Sequence, residues 1–159
     1  MKNLLTITFL LTIALVLSAC KSTENIQPAA TIELSYDCFG GNDDNEVFIV
    51  IEEEPVFQNG MDDLITYLRP VLDEALPTTI NGAEIKLGVI VLSNGAACLS
   101  KVTGTNVDEN SLPDFQALVR EMPAWTPGLQ GGLVRNTLVT VTVQVEGGSV
   151  GEITAVVGR

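Results

Sequence analysis

The sequence predicts an α+β fold: two helices packed on one face of a small antiparallel sheet, ordered strand, helix, two-strand hairpin, helix, strand, with one more strand at the C-terminus. Three stretches carry that expectation. From Thr137 to Val145, Val139, Val141, Val143 and Val145 alternate with Thr140, Thr142 and Gln144, the period of a strand with one buried face. Met61, Leu64, Ile65, Leu68, Leu72, Ala75 and Leu76 recur at three- and four-residue steps and give a helix one apolar face. Ile85, Leu87, Val89 and Val91 alternate with Glu84, Lys86, Gly88 and Ile90, and Asn94-Gly95 follows, a pair suited to a type I′ hairpin.

Taken in order, the chain opens with a targeting segment. Lys2 supplies a positive n-region, and Leu4 to Leu17 an apolar run too short to span a bilayer. Leu17-Ser18-Ala19-Cys20 looks like a bacterial lipobox, with small residues that admit the signal peptidase and a thiol that accepts the lipid. The alternative is an ordinary signal peptide that contains a Cys. The lipobox reading makes residues 1–19 a signal peptide and 20–30 a lipidated Cys20 plus polar tether. Residues 31–46 then form an N-terminal loop and 47–159 the folded domain. Several acyl chains on Cys20 suffice for stable anchoring, where one alone is marginal.

The 159 residues carry 8 basic and 20 acidic side chains, a net charge of −12, and loss of Lys2 with the leader makes it −13. Phosphates and anionic head groups repel such a chain, so nucleic acid is not an expected partner. The acidic surface suits a tethered domain that stays soluble beside a membrane.

Thr31 to Asp44 carries Cys38 in a Gly-Gly-Asn-Asp-Asp context, a loop signal. Asp43, Asp44 and Glu46 lack the ligand order of a calcium loop and read as a solvated acidic turn. In Glu46 to Phe57, Val47, Ile49 and Ile51 lie on one side of an expected strand, Phe48 and Val50 on the other. The helix that follows has Asp62 and Asp63 in its first turn, where the macrodipole favours acids. Pro70 predicts a kink or two short helices. After Asn94-Gly95 a returning strand runs from Ala97 to Thr103. Ser111 is the expected N-cap of a second helix, with Pro113 in its first turn and a stripe of Leu112, Phe115, Leu118, Val119 and Met122 that ends at Pro123. Gly147-Gly148-Ser149 then leads into a strand from Val150 to Val157.

Catalytic chemistry is sparse. The chain has no His, which excludes Ser-His-Asp and Cys-His arrangements and imidazole ligation of a metal. No phosphate- or dinucleotide-binding glycine loop occurs, and Glu52-Glu53 and Asp62-Asp63 are sequence neighbours with no reason to converge. The expectation is a protein that is not an enzyme, with no cofactor, no metal and no evident small-molecule substrate. With Cys20 acylated, Cys38 and Cys98 remain. They are either two buried thiols or, as an exported compartment favours, a disulfide that pins the N-terminal loop to the sheet.

The stretch Arg120 to Val145 reads as a helix end, a Trp-Pro-Gly corner and a strand. Glu121, Met122, Pro123, Trp125, Pro127, Gly128, Gly132 and Val134 stand in it at a spacing that resembles the C-terminal domain of TonB-type energy transducers. Phe57, Gly60, Leu64, Tyr67 and Leu68 give a second anchor, and the hairpin between Ala83 and Gly95 a third. The chain departs from that family at Leu76-Pro77, where a Tyr-Pro landmark is usual. The resemblance implies a periplasmic interaction domain that binds an extended segment of an outer-membrane transporter or other envelope protein by β-strand addition. On that reading the accepting edge is the strand bearing Thr137, Val139, Val141, Val143 and Val145, with the tail from Val150 a candidate placeholder on it. The lipobox implies a lipid anchor in the cell envelope, at the outer membrane and facing the periplasm. A structural envelope lipoprotein that keeps the fold without transporter binding or energy transduction is the second reading. Trp125, Phe57 and Tyr67 are expected as packing residues.

Overall fold

The computed structural model describes residues 31–40 and 46–158. The leader, Cys20 and the tether lie outside the described residues, as do Asp43, Asp44 and Arg159.

The alternating stretches pair as neighbouring strands. β4 (Ala83–Val91) and β5 (Ala97–Thr105) form an antiparallel hairpin. Its loop is Ser93, Asn94 and Gly95, closed by the Leu92 N–H on the Ala96 carbonyl and the Gly95 N–H on the Leu92 carbonyl, both at 2.8 Å. That is one residue longer than the two-residue turn expected of Asn-Gly. β8 (Leu133–Glu146) pairs antiparallel with β4 from Ala83↔Val145 to Val91↔Thr137. It then turns through Gly147 and Gly148, at φ 58° and 76°, into β9 (Ser149–Val157). A two-residue turn of that hand needs both residues left-handed, which glycine accepts without steric cost.

Among the described residues the expected small antiparallel sheet is replaced by a curled, mixed sheet of 7 strands with 2 short helices, so the predicted fold class is corrected. The reason is the length of β8. Its 14 residues outrun β4 and β9, and the N-terminal overhang recruits β7 (Gly128–Gln130) antiparallel and β2 (Val47–Phe48) parallel. At the far edge β1 (Thr31–Ser35) pairs with β5 from Thr31↔Thr105 to Ser35↔Lys101, where the sequence suggested a loop. A Gly-Gly-Asn-Asp-Asp run marks where that strand has ended and masks the short apolar alternation of Ile32 and Leu34 before it. The strand expected through Ile51 stops after Phe48, and Ile49 and Val50 are 59% and 79% exposed. A separate pair joins β3 (Val56–Phe57) to β6 (Trp125–Thr126).

α1 (Met61–Ala75) runs unbroken through Pro70. Proline inside a helix costs about 3 kcal/mol. Burying Leu64, Leu68 and Leu72 on both sides of it returns roughly 1.5–3 kcal/mol each, so packing outweighs the lost donor. α2 (Phe115–Arg120) begins later than expected: its N-cap is Asp114, whose carboxylate accepts the Ala117 N–H at 3.0 Å, and Ser111 closes a 3-10 turn before it. Phe115, Leu118 and Val119 of α2 join the α1 leucines, Ile85, Leu87, Val89 and Val91 of β4, and Val139, Val141, Val143 and Val145 of β8 in one core.

Cys38 and Cys98 form a disulfide, with Cα atoms 5.8 Å apart and a sequence separation of 60. It fastens the chain just after β1 to the start of β5.

Candidate functional site

Strand β8, the expected accepting edge, has no free side along Thr137 to Val145. β4 occupies one side and β9 the other from Val139 onward, while Thr137 pairs with Val91 on one side and with Phe48 on the other. Thr137, Val139, Val141, Val143 and Val145 all point into the core and are buried. The backbone groups that remain open lie one strand further out.

On β9 the direction of each peptide group follows from its pairing. The Gly158 N–H donates to the Leu138 carbonyl at 2.8 Å, and Val156 and Thr154 stand opposite Thr140 and Thr142. Peptide groups alternate along a strand. Those of Ile153, Ala155 and Val157 therefore face away from β8, and within the described residues no hydrogen bond reaches them. At the start of the strand α1 covers the same edge. The Val150 N–H donates to Asp73 Oδ1 at 2.9 Å, and Arg69 Nη1 donates to the Val150 carbonyl at 2.8 Å. Residues 69 and 73 stand one helical turn apart, so together they mimic a neighbouring strand at one residue and leave the next ones open.

The Trp-Pro-Gly corner works as a clasp. Met122 is buried against the core, and Pro123 follows the end of α2. Trp125 packs edge-on to Phe57 at 5.1 Å, Phe57 in turn meets Tyr67 at 5.6 Å, and the Trp125 N–H donates to the Gly95 carbonyl at 2.8 Å. The buried indole N–H meets no acceptor, which offsets part of what the ring contributes by burial. Past Pro127, a Cβ on Gly128 would lie 2.8 Å from both Ile51 Cδ1 and Thr137 Oγ1 and 3.0 Å from the Glu53 carbonyl, so a larger residue would force these neighbours to shift. Leu129 and Glu53 exchange two backbone hydrogen bonds, at 2.9 and 3.1 Å. The Glu52 carboxylate accepts from Gln130 Nε2 at 3.0 Å and from the Gly131 N–H at 2.8 Å, ahead of the turn at Gly132. Glu52 and Glu53 are thereby structural, and the motif holds the 51–57 segment to the sheet rather than lining a cavity.

The outer face of the sheet carries a shallow groove of about 190 Å³ over Gly88, flanked by Lys86 and Lys101. Each ammonium is paired at 2.9 Å, Lys86 with Glu84 and Lys101 with Glu33, so the groove presents no excess positive charge. Hydrogen bonds from Lys86 and Gln144 hold the Glu84 carboxyl below its ordinary pKa, while burial, then the Glu121 charge, raises the Tyr67 phenol. Among the described residues no three acidic or cysteine side chains converge as a metal site, and no helix is long and apolar enough to cross a membrane.

No family model, no curated protein and no solved structure matches the chain. The site therefore stands on its geometry. Sequence reading missed Ile153, Ala155 and Val157 as edge residues, and Arg69 and Asp73 as the edge's partial cover. The four-residue spacing of Arg69 and Asp73 was visible, but it is shared by many exposed helical pairs and names no target.

Proposed function

We propose that the protein is a lipid-anchored periplasmic interaction module that binds an extended segment of an outer-membrane transporter or another envelope protein by β-strand addition. The observation that carries this reading is the open edge of β9. Unpaired N–H and C=O groups at Ile153, Ala155 and Val157 are a template for one more strand, and main-chain pairing supplies affinity with little demand on partner sequence. The motif around Trp125 that resembles the TonB C-terminal domain supports an envelope setting, and the lipobox at Cys20 supports the anchor. Relative to the expectation from sequence, the acceptor moves from β8 to β9.

The test is Ala155→Pro. Proline removes the outward donor and blocks pairing, yet an edge strand tolerates it where the N–H faces solvent. The variant melts within about 3 °C of the parent and loses at least ten-fold of its capture of outer-membrane proteins; Val157→Pro, a second edge variant, behaves alike. Undiminished capture by a folded variant would remove the edge from the mechanism. A second reading, a structural envelope lipoprotein, is favoured by the fact that β9 already fills the side of β8 where a partner was expected. It is the one to keep if the parent protein captures nothing.

Anchoring has its own test. Cys20→Ser moves the protein from the membrane to the soluble fraction and abolishes palmitate labelling. Unchanged membrane association of that variant excludes the lipobox as the anchor.

A further inference from the structure

We infer that the segment accepted by β9 is a cationic amphipathic strand, with apolar residues alternating with Lys or Arg; this rests on the strand-addition reading above. The side chains beside the open edge specify it. Ile153 is buried, and Ala155 and Val157 are half-buried against the core, so this set of β9 side chains turns inward, toward α1, and Thr154 and Val156 turn to solvent. An added strand in register places every second side chain on the same inner side.

What those side chains meet follows from the helix. Ile65, Arg69 and Asp73 stand at four-residue steps and form one row along α1. Arg69 and Asp73 grip Val150 at the start of β9, so the row runs beside the strand and Ile65 lies about 6 Å further along it. Ile65 is half-buried against the core, and Met61, one turn beyond, is 40% exposed. Continued in that direction, the row sets Ile65 and then Met61 along the residues of β9 that follow Val150, as an apolar ledge. Inward-facing valine- or leucine-sized side chains of an added strand would cover it.

The outward positions are set by charge. Glu152 is exposed on β9 itself, and Asp62 is exposed in the first turn of α1. Among the described residues Arg69 is the cation seen on this strand, where its guanidinium faces the Val150 carbonyl. Lys86 and Lys101 lie on β4 and β5 with their own carboxylates, Arg120 ends α2, which packs on β5, and Arg135 sits 5.5 Å over the Phe48 ring. A chain of net charge −12 attracts Lys and Arg and repels Asp and Glu, and the exposed Glu152 sets one of those charges on β9. The same net charge opposes a second copy of this chain.

The experiment measures fluorescence anisotropy of labelled decapeptides titrated with the full chain in non-ionic detergent micelles. The probes alternate valine with lysine, alternate valine with glutamate, or carry five valines followed by five lysines. The alternating lysine peptide binds at least ten-fold tighter than the other two. Its advantage over the glutamate peptide shrinks as NaCl rises from 50 to 500 mM, and Asp62→Asn with Glu152→Gln narrows it at low salt. Ala155→Pro, or Val157→Pro should the first variant misfold, abolishes its binding. Equal binding of the lysine and glutamate alternating peptides overturns the charge assignment and leaves strand addition standing. Equal binding of the blocked lysine peptide, or of the proline variants, reduces the effect to bulk electrostatics and overturns the inference. Absence of binding by every peptide overturns both, and a dimer in sedimentation that the lysine peptide fails to dissociate assigns the edge to a second copy.

Discussion

A chain ending at Glu146 melts on the order of 15 °C below the intact protein or fails to fold. β9 is a packed part of the sheet: Val150 and Ile153 are 6% and 4% exposed, and Ala155 and Val157 pack on the core. Burying two such side chains contributes roughly 3–6 kcal/mol at about 1.5–3 kcal/mol each. Truncation also strips the far side of β8 from Val139 to Glu146 and leaves Arg69 and Asp73 without Val150. Against a total stability of about 5–15 kcal/mol for a domain, that loss is decisive. Thermal melts by far-UV circular dichroism check it. A truncated chain that melts within a few degrees of the parent would revive the displaceable tail and return the accepting edge to β8.

Reduction of the Cys38–Cys98 disulfide is the second large effect. The bridge spans 60 residues, and the chain-entropy model assigns such a loop about 4 kcal/mol of stabilisation through the unfolded state. For a domain of this size that lowers the melting temperature by on the order of 15 °C. The first consequence is local, since Cys38 is the covalent tie that holds the end of β1 beside β5 and keeps the strand nearest the tether in the sheet. Melts with and without dithiothreitol, paired with thiol titration of the denatured, unreduced mature chain, test both points. Two titratable thiols in freshly purified material, or a melting temperature indifferent to reductant, would contradict them.

The elements legible in the sequence are those whose signal is local. Ile85 to Val91 and Val139 to Val145 alternate cleanly because one face of each strand is buried along its whole length. Met61 to Ala75 keeps its apolar period across Pro70, and the period outweighed the proline. Ile49 and Val50 misled because apolar residues read as buried, yet the chain leaves its partner after Phe48 and exposes them. Asp114 displaced Ser111 as the cap because the 3-10 turn at Glu109–Ser111 used up the expected start. The motif around Trp125 was visible as a cluster of rare residues, but its task became clear only beside Phe57, Ile51 and Glu53, about 70 residues earlier in the chain.

By itself the sequence determined the apolar periods, the candidate anchor at Cys20, the absence of histidine and the pair of cysteines available for a bond, because each is a property of composition or of neighbours a few residues apart. The tertiary structure decided which strand is central and which is open. Every residue brings the same backbone donor and acceptor whatever its side chain, so side-chain pattern cannot say whose groups they meet. That depended on β4 and β9 closing on β8 from either side, and on α1 arriving over β9 so that Arg69 and Asp73 cover Val150 and leave Ile153, Ala155 and Val157 unpaired.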